Sequence, residues 1–249
     1  MPSHNQTLKH REAIHKLLNE HTSMSIQELS DELNVSPSTV RRNISAMVLM
    51  YPNMHRTHGR VSIDAFVRDR NHRTDAISND IVDKALRKIR LKDKVFLDSG
   101  NTSMSLAMEL CYFDVHIVTL DIRIALYLKD FTCCRTTLIG GDLSTGCEFT
   151  TGEVTTCQLK DHVFDVAFIS TNCFDLVHGV TAPHEANAKI KALAMVQAKR
   201  THLIAGGHKF NKFSFHPVAK LQEFDSVITD SLIPCKTIDM LISWGVNIE

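Results

Sequence analysis

The sequence predicts an α/β chain in two parts, a small helical unit followed by a larger unit of alternating strands and helices. Two observations carry this. Residues 7 to 50 show only helical apolar spacing, broken by capping and turn residues. From about Thr74, short apolar runs such as Lys94–Leu97 and Val166–Ser170 alternate with amphipathic stretches of helix length. That alternation is the pattern of a mainly parallel sheet with helices on both faces. The 249 residues suffice for one small and one ordinary domain. The boundaries expected are 1–63 for the first and 74–249 for the second, with the charged, weakly patterned 64–73 as linker.

The small unit opens with a helix over residues 7 to 20, with Thr7 as its N-cap and Ile14, Leu17 and Leu18 on one side. Ser25-x-x-Glu28 is a capping box for a second helix, whose inward stripe is Ile26, Leu29 and Leu33. Asn34-Val35 makes the turn. Ser36 caps a third helix with Pro37 at its first position, where a missing N–H costs nothing. Val40, Ile44 and Met47 face inward, which leaves Ser38, Thr39, Arg41, Arg42 and Ser45 outward. Met54 to Ile63 suits a hairpin bent at Gly59. Three helices and a basic hairpin make a winged helix-turn-helix.

Charge supports a nucleic-acid role for that element. The whole chain is formally neutral, yet Val35 to Ile63 holds Arg41, Arg42, Arg56 and Arg60 with no lysine, aspartate or glutamate, a local +4. A helix of this kind fits the major groove with its N-terminal residues at base edges. Ser36, Ser38, Thr39, Arg41 and Arg42 are the expected contacts there, and Arg56, His58 and Arg60 those of the wing. A helical hairpin used in protein contacts is the bland alternative, and it leaves the basic, acid-free side unexplained.

Composition excludes several classes. Hydrophobic content of 43% and charged content of 22% are those of a globular protein. No apolar run approaches the roughly 20 residues that cross a bilayer. The N-terminus, MPSHNQTLKHREAIHKLL, has no signal-peptide core, so a cytoplasmic protein without a membrane partner is expected. Seven cysteines, an odd number with no CxxC pair, read as reduced thiols. The histidines form no metal-ligand cluster, so neither a metal nor a cofactor is expected.

In the larger unit, helices are expected over Asp75–Ile89, following Asp98-Ser-Gly-Asn-Thr-Ser103 as far as Leu110, and over Ile122–Leu128, Gly152–Leu159, His184–Lys199 and Ile233–Ser243. Strands are expected at Lys94–Leu97, Val115–Thr119, Thr136–Ile139, Val166–Ser170, Thr201–Ala205 and Ser226–Thr229, and Val246–Ile248 closes the chain. Ligands of such sheets sit outside the C-terminal strand ends. Asp98-Ser-Gly-Asn-Thr-Ser103 lies there, a Gly-containing, hydroxyl-rich turn opening a helix. Free backbone N–H groups and the helix dipole favour an anion, a phosphate above all. An ordinary N-cap would use the same residue types. The loop is neither a Walker P-loop nor GxGxxG. Thr119, Asp121, Gly140-Gly141, Asn172 and Lys209 are further polar residues at strand ends, Lys209 reading equally as a solvated lysine. Glu185 and Lys189, at i and i+4, also suit a surface pair.

From about Arg11 to the C-terminus the chain resembles the DeoR family of bacterial transcriptional regulators. The resemblance is carried, in order, by ELSDELNVSPSTVRRNI, HRTHGRV, VFLDSGNTS, LIGGDL, DVAFIS, GVTAPHEANAKIKAL, HKF and FDSVITD. It implies a winged helix-turn-helix on double-stranded operator DNA and a sensor domain similar to ribose-5-phosphate isomerase. It implies repression of carbohydrate-use genes, with release when a phosphorylated sugar binds. Ser36, Ser38, Thr39, Arg41 and Arg42 match recognition-helix positions. Asp98, Gly100, Asn101, Thr102 and Ser103 match the effector loop, Gly140 and Gly141 the paired glycines, and Lys209 the family lysine; Thr119, Glu185 and Lys189 complete the expected effector set. Three departures stand out: Asn43 replaces an aspartate, Thr119-Leu120-Asp121 replaces Thr-Asn-Ser, and Gly206-Gly207-His208 replaces Asp-Ser-Ser. A carboxylate at 121 facing the pocket would repel a phosphate dianion unless a cation intervened.

A homo-oligomer, dimer or tetramer, is expected through the larger domain, since one small module gives little operator affinity. A non-enzyme is expected. The alternative from another class is a sugar-phosphate isomerase with Asp98, Asp121 or Glu185 as base beside His208; an activator of the same family is a third reading.

Overall fold

The computed structural model describes residues 4–21, 23–50, 54–57, 59–63, 79–143 and 146–249. The chain divides into two compact units, Met1–Arg73 and Thr74–Glu249. The linker expected at 64–73 and the first turn of the helix expected from Asp75 lie outside the described residues.

The first unit runs α1 (His4–His21), β1 (Ser23–Ser25), α2 (Ile26–Leu33), α3 (Pro37–Met50), β2 (Met54–Thr57) and β3 (Arg60–Ile63). Thr7 does not cap α1. The helix starts at His4, because the polar residues before Thr7 include no breaker and simply extend it. α2 has eight residues, too few to be stable alone, so burial of Ile26 and Leu29 must hold it. Its capping box closes as expected: Glu28 N–H donates to Ser25 Oγ at 3.1 Å, and Ser25 N–H donates to Glu28 Oε2 at 2.5 Å. Asn34 ends α2 in the left-handed region at φ 50°. Val40, Ile44 and Met47 are fully buried with Ile14, Leu18, Leu29 and Val61. The small sheet is antiparallel in the order β1-β3-β2, with Gly59 at φ 82° in its turn. β1 was not expected; three residues are too few to show a period.

The second unit runs α4 (Asn79–Leu86), β4 (Lys94–Leu97), α5 (Asn101–Leu110), β5 (His116–Thr119), α6 (Ile122–Leu128), β6 (Arg135–Leu138), β7 (Asp142–Leu143), β8 (Thr150–Thr151) and α7 (Gly152–Lys160). It continues with β9 (Val166–Ser170), β10 (Cys173–Asp175), β11 (Gly179–Ala182), α8 (Glu185–Val196), β12 (Thr201–Ile204), β13 (His216–Ala219), β14 (Ser226–Ile228) and α9 (Cys235–Ser243). Six strands form one parallel sheet in the order β14-β12-β9-β4-β5-β6. Residues of β4 and β9 alternate between two apolar clusters. Val95, Leu97 and Phe168 pack with α4, α5 and α6, while Phe96, Ala167 and Ile169 pack with residues of α7, α8 and α9. Layers on both faces follow from that alternation.

Two pairings go beyond the sequence reading, the antiparallel pair β7-β8 and a further three-stranded sheet. β10, β11 and β13 form a second, antiparallel sheet over α8. The last residues also lie along β14: Val227 N–H donates to Asn247 at 2.7 Å, and Glu249 N–H donates to Val227 at 2.9 Å.

Strand order decides where a ligand can enter. Numbered by sequence within the parallel sheet, the strands read 3-2-1-4-5-6 across it, so the winding reverses between β4 and β9. The loops after those two strands flank a crevice at the switch point. They contain Asp98–Gly100 and Thr171–Asn172.

Candidate DNA interface and effector site

On α3, burial of Val40, Ile44 and Met47 turns the opposite face outward, and Ser36, Ser38, Arg41, Arg42 and Ser45 are exposed. Ser36 organises the start of the helix. Its Oγ accepts from Thr39 N–H at 3.3 Å and shares hydrogen bonds of 2.9 Å with Ser38 Oγ and Thr39 Oγ1. Thr39 is therefore half-buried and partnered, while Arg41 and Arg42 carry the outward charge. Asn43 is 2% exposed; its amide donates to the Thr39 carbonyl at 3.0 Å and its Oδ1 accepts from Arg11 at 3.4 Å. The residue that departs from the family pattern thus ties α1 to α3.

In the wing, Arg56 is exposed. Arg60 is exposed but engaged: it donates to Ser23 Oγ and O at 3.4 and 3.3 Å and pairs with Glu28 at 3.6 Å. Contact with a phosphate would compete with those bonds. His58 lies outside the described residues.

At the switch point, Asp98 is 1% exposed and its carboxylate is fully used. Oδ1 accepts from Ser99 N–H at 2.8 Å, and Oδ2 accepts from Ser170 N–H at 2.9 Å and from Lys191. Lys191, itself buried, donates also to the Ser170 carbonyl at 3.0 Å. The expected effector residue is an internal counter-charge that locks β4, β9 and α8 together. Sequence reasoning missed both Lys191 and Ser170. One signal was available, because Lys191 stands in line with the buried Ala188 and Ala194 at three-residue spacing.

Asp121 is fully buried and caps α6. It accepts from Arg123 N–H at 2.9 Å, from the Arg123 guanidinium at 2.7 and 3.2 Å, and from Gly100 N–H at 3.1 Å. The cation that a carboxylate here requires is Arg123. Gly100 N–H, expected to face a phosphate, is given to Asp121 instead. Thr119 is buried, with its Oγ1 accepting from Asp121 N–H at 3.1 Å.

The remaining expected residues divide. Asn101 is exposed at the first turn of α5; Thr102 and Ser103 are buried, and Ser103 Oγ has no hydrogen-bond partner among the described residues. Gly140 N–H donates to Gln158 Oε1 at 2.8 Å. Gly141 has φ 148°, and a Cβ there would lie 1.9 Å from Thr155 Oγ1. The paired glycines thus admit the start of α7. Glu185 and Lys189 form an exposed pair at 2.7 Å, as a surface i,i+4 pair would. Lys209 is half-buried in a short turn that follows β12.

A winged helix-turn-helix with an outward basic face, carried with an α/β unit that has a polar switch-point crevice, defines a DNA-binding regulator with a sensor domain. The comparisons specify it further. Residues 11–65 match the DeoR-like helix-turn-helix domain, and residues 77–231 match the DeoR C terminal sensor domain. The chain belongs to the DeoR family of transcriptional regulators.

It is 27% identical over 240 residues to the HTH-type transcriptional regulator GlpR of Haloferax volcanii, covering 94% of this chain and 93% of that one. It is 27% identical over 222 residues to the lactose phosphotransferase system repressor of Lactococcus lactis, covering 85% and 86%. Ribose 5-phosphate isomerase A of Methanocaldococcus jannaschii aligns with 53% of this chain and 52% of its own at 10% identity, with a TM-score of 0.38. Among the described residues no helix is long and apolar enough to cross a membrane.

Proposed function

We propose that the chain represses carbohydrate-use genes, binds operator DNA through α3 and the wing, and releases it when a phosphorylated sugar enters the β4–β9 crevice. The observation that carries the first half is the outward face of α3, where Arg41 and Arg42 stand opposite fully buried Val40, Ile44 and Met47. The sign of regulation follows the lactose phosphotransferase system repressor, which the chain resembles along most of its length. For the second half, Asn101 and the first turn of α5 offer donors to an anion at the switch point. Lys209 after β12 adds a cation. Repression requires that the ligand bind better to the arrangement with low DNA affinity. Two copies per operator, held by the larger unit, would supply the affinity that one module lacks.

The isomerase reading loses support, since two of its three candidate bases are buried in ion pairs. Asp98 is held by Lys191 and Asp121 by Arg123, while Glu185 stands exposed in a surface pair with Lys189.

Gel-shift with DNA upstream of its own gene cluster, with and without a panel of pentose and hexose phosphates, tests the proposal. A specific complex dissolved by one sugar phosphate is expected. No sequence outcompeting bulk DNA at physiological salt would sink the first half, and a complex indifferent to the whole panel would sink the second.

A further inference from the structure

This inference rests on reading the β4–β9 crevice as the effector site. Arg123, at the start of α6, holds two carboxylates of different kinds. Its Nη2 and Nε donate to Asp121 at 2.7 and 3.2 Å, while Nη1 meets Glu148 Oε2 at 2.7 Å and Asn101 Oδ1 at 3.3 Å. Asp121 is fully buried and also accepts from Gly100 and Arg123 backbone N–H groups, so it is fixed. The Glu148 side chain is 45% exposed and comes from the loop ahead of β8. Glu148, on the exposed side of a half-buried guanidinium, is less firmly held than buried Asp121.

An incoming anion cannot take the Gly100 N–H without removing a buried carboxylate from charge-assisted hydrogen bonds. It can take Glu148's place on Nη1, next to Asn101 and to first-turn N–H groups of α5 that no intrahelical carbonyl accepts. Arg123, Asp121 and Glu148 together sum to −1, and departure of Glu148 brings the remaining pair to neutrality, which makes room for the ligand's charge.

We propose that Arg123 receives the effector's phosphate and that Glu148 is its built-in competitor, displaced when the ligand binds. The carboxylate at 121 then sets specificity by taking the Gly100 N–H and two edges of the guanidinium, so that the phosphate is read by Arg123 Nη1 as well as by the first-turn amides of α5.

Calorimetric titration of the full chain with inorganic phosphate, beside the sugar-phosphate panel, tests this. Glu148→Gln removes the competing charge and should tighten phosphate binding on the order of threefold, the size of one partly exposed ion pair. Arg123→Lys keeps the charge but cannot grip Asp121 with two N–H groups and present a third to the phosphate, and should weaken binding several-fold. Unchanged affinity in both variants, with binding still weakened in Asn101→Ala, would overturn the receptor role and leave the crevice reading intact. Unchanged affinity in Asn101→Ala and Lys209→Ala as well would overturn the crevice reading itself. A sugar phosphate that binds tighter than the free ion, with both weakened by a similar factor in Arg123→Lys, supports both.

Discussion

Lys191 and Asp98 lie on α8 and at the end of β4, and they form an ion pair whose side chains are 6% and 1% exposed. Removing one partner leaves the other buried and uncompensated, which typically costs about 3–5 kcal/mol, whereas replacing both by apolar groups is often neutral. Lys191→Met should therefore lower stability by roughly that amount. Asp98→Leu combined with Lys191→Met should recover much of it. Urea melts of the two variants check the prediction, and equal losses would mean that the pair does not act as a unit.

His202 should make the protein acid-sensitive. It sits in β12 with Nδ1 hydrogen-bonded to Ser226 Oγ at 2.9 Å and Nε2 without a hydrogen-bond partner among the described residues. Burial pushes its pKa down from 6.5 to about 4. Between those values the unfolded chain takes up a proton that the folded chain refuses, so stability rises with pH across the window and is lost as pH falls through it. The slope from one such group is at most about 1.4 kcal/mol per pH unit. His202→Gln should flatten the dependence in denaturation curves taken from pH 4 to 7; an unchanged slope would assign it to other groups.

The two arginines that the sequence treats alike should behave differently on DNA. Arg42, outward on α3, should cost about 1–3 kcal/mol of operator binding when changed to Ala if it makes a bidentate base contact. Arg60→Ala should cost less, because Arg60 already pairs with Glu28 and Ser23. Competition gel-shifts against mismatched operators separate the cases. A loss for Arg42→Ala that is uniform on all sequences would reassign it to phosphate.

Gly141→Ala should destabilise the second unit. The residue would hold a positive φ and meet both Thr155 Oγ1 and the Thr151 carbonyl. Strain of that sort costs on the order of 1–3 kcal/mol. Thr155→Ala would remove one of the two obstacles, so the double variant should recover part of the loss in thermal melts. No difference between single and double variants would place the strain in the backbone alone.

Legibility followed the length and regularity of each pattern. The parallel strands were readable because β9, for instance, is five buried residues in a row. β10 and β11 were not, being three and four residues long, and Pro217 obscures β13. In the first unit the apolar inward residues of α3, Val40, Ile44 and Met47, were readable from their spacing, since 3.6-residue periodicity is fixed by the backbone itself, whereas buried Asn43 was not. The sequence reading put the candidate site at the C-terminal strand ends, and the strand order that sets a switch point beside Asp98–Gly100 came only with the structure, as did the site's electrostatics. Asp121 was visible as a polar residue at a strand end, but not that its carboxylate reaches Gly100, 21 positions back. Lys189 drew attention through its local partner Glu185, while Lys191 pairs 93 positions away. Local partners are written in spacing; distant ones are not.

The backbone bonds between the chain's last residues and β14 make the two rims of the large sheet unlike. Beyond β14, Asn247 and Glu249 already occupy the hydrogen-bonding positions. At the other rim, the described residues provide no strand beyond β6. An open rim is a template for strand addition by another chain, and β6 counters this with the outward charge of Arg135 and a length of only four residues. Loss of residues 246–249 would expose a second template, next to the buried strand β12. Truncation there should therefore show first as self-association, before any change in the crevice.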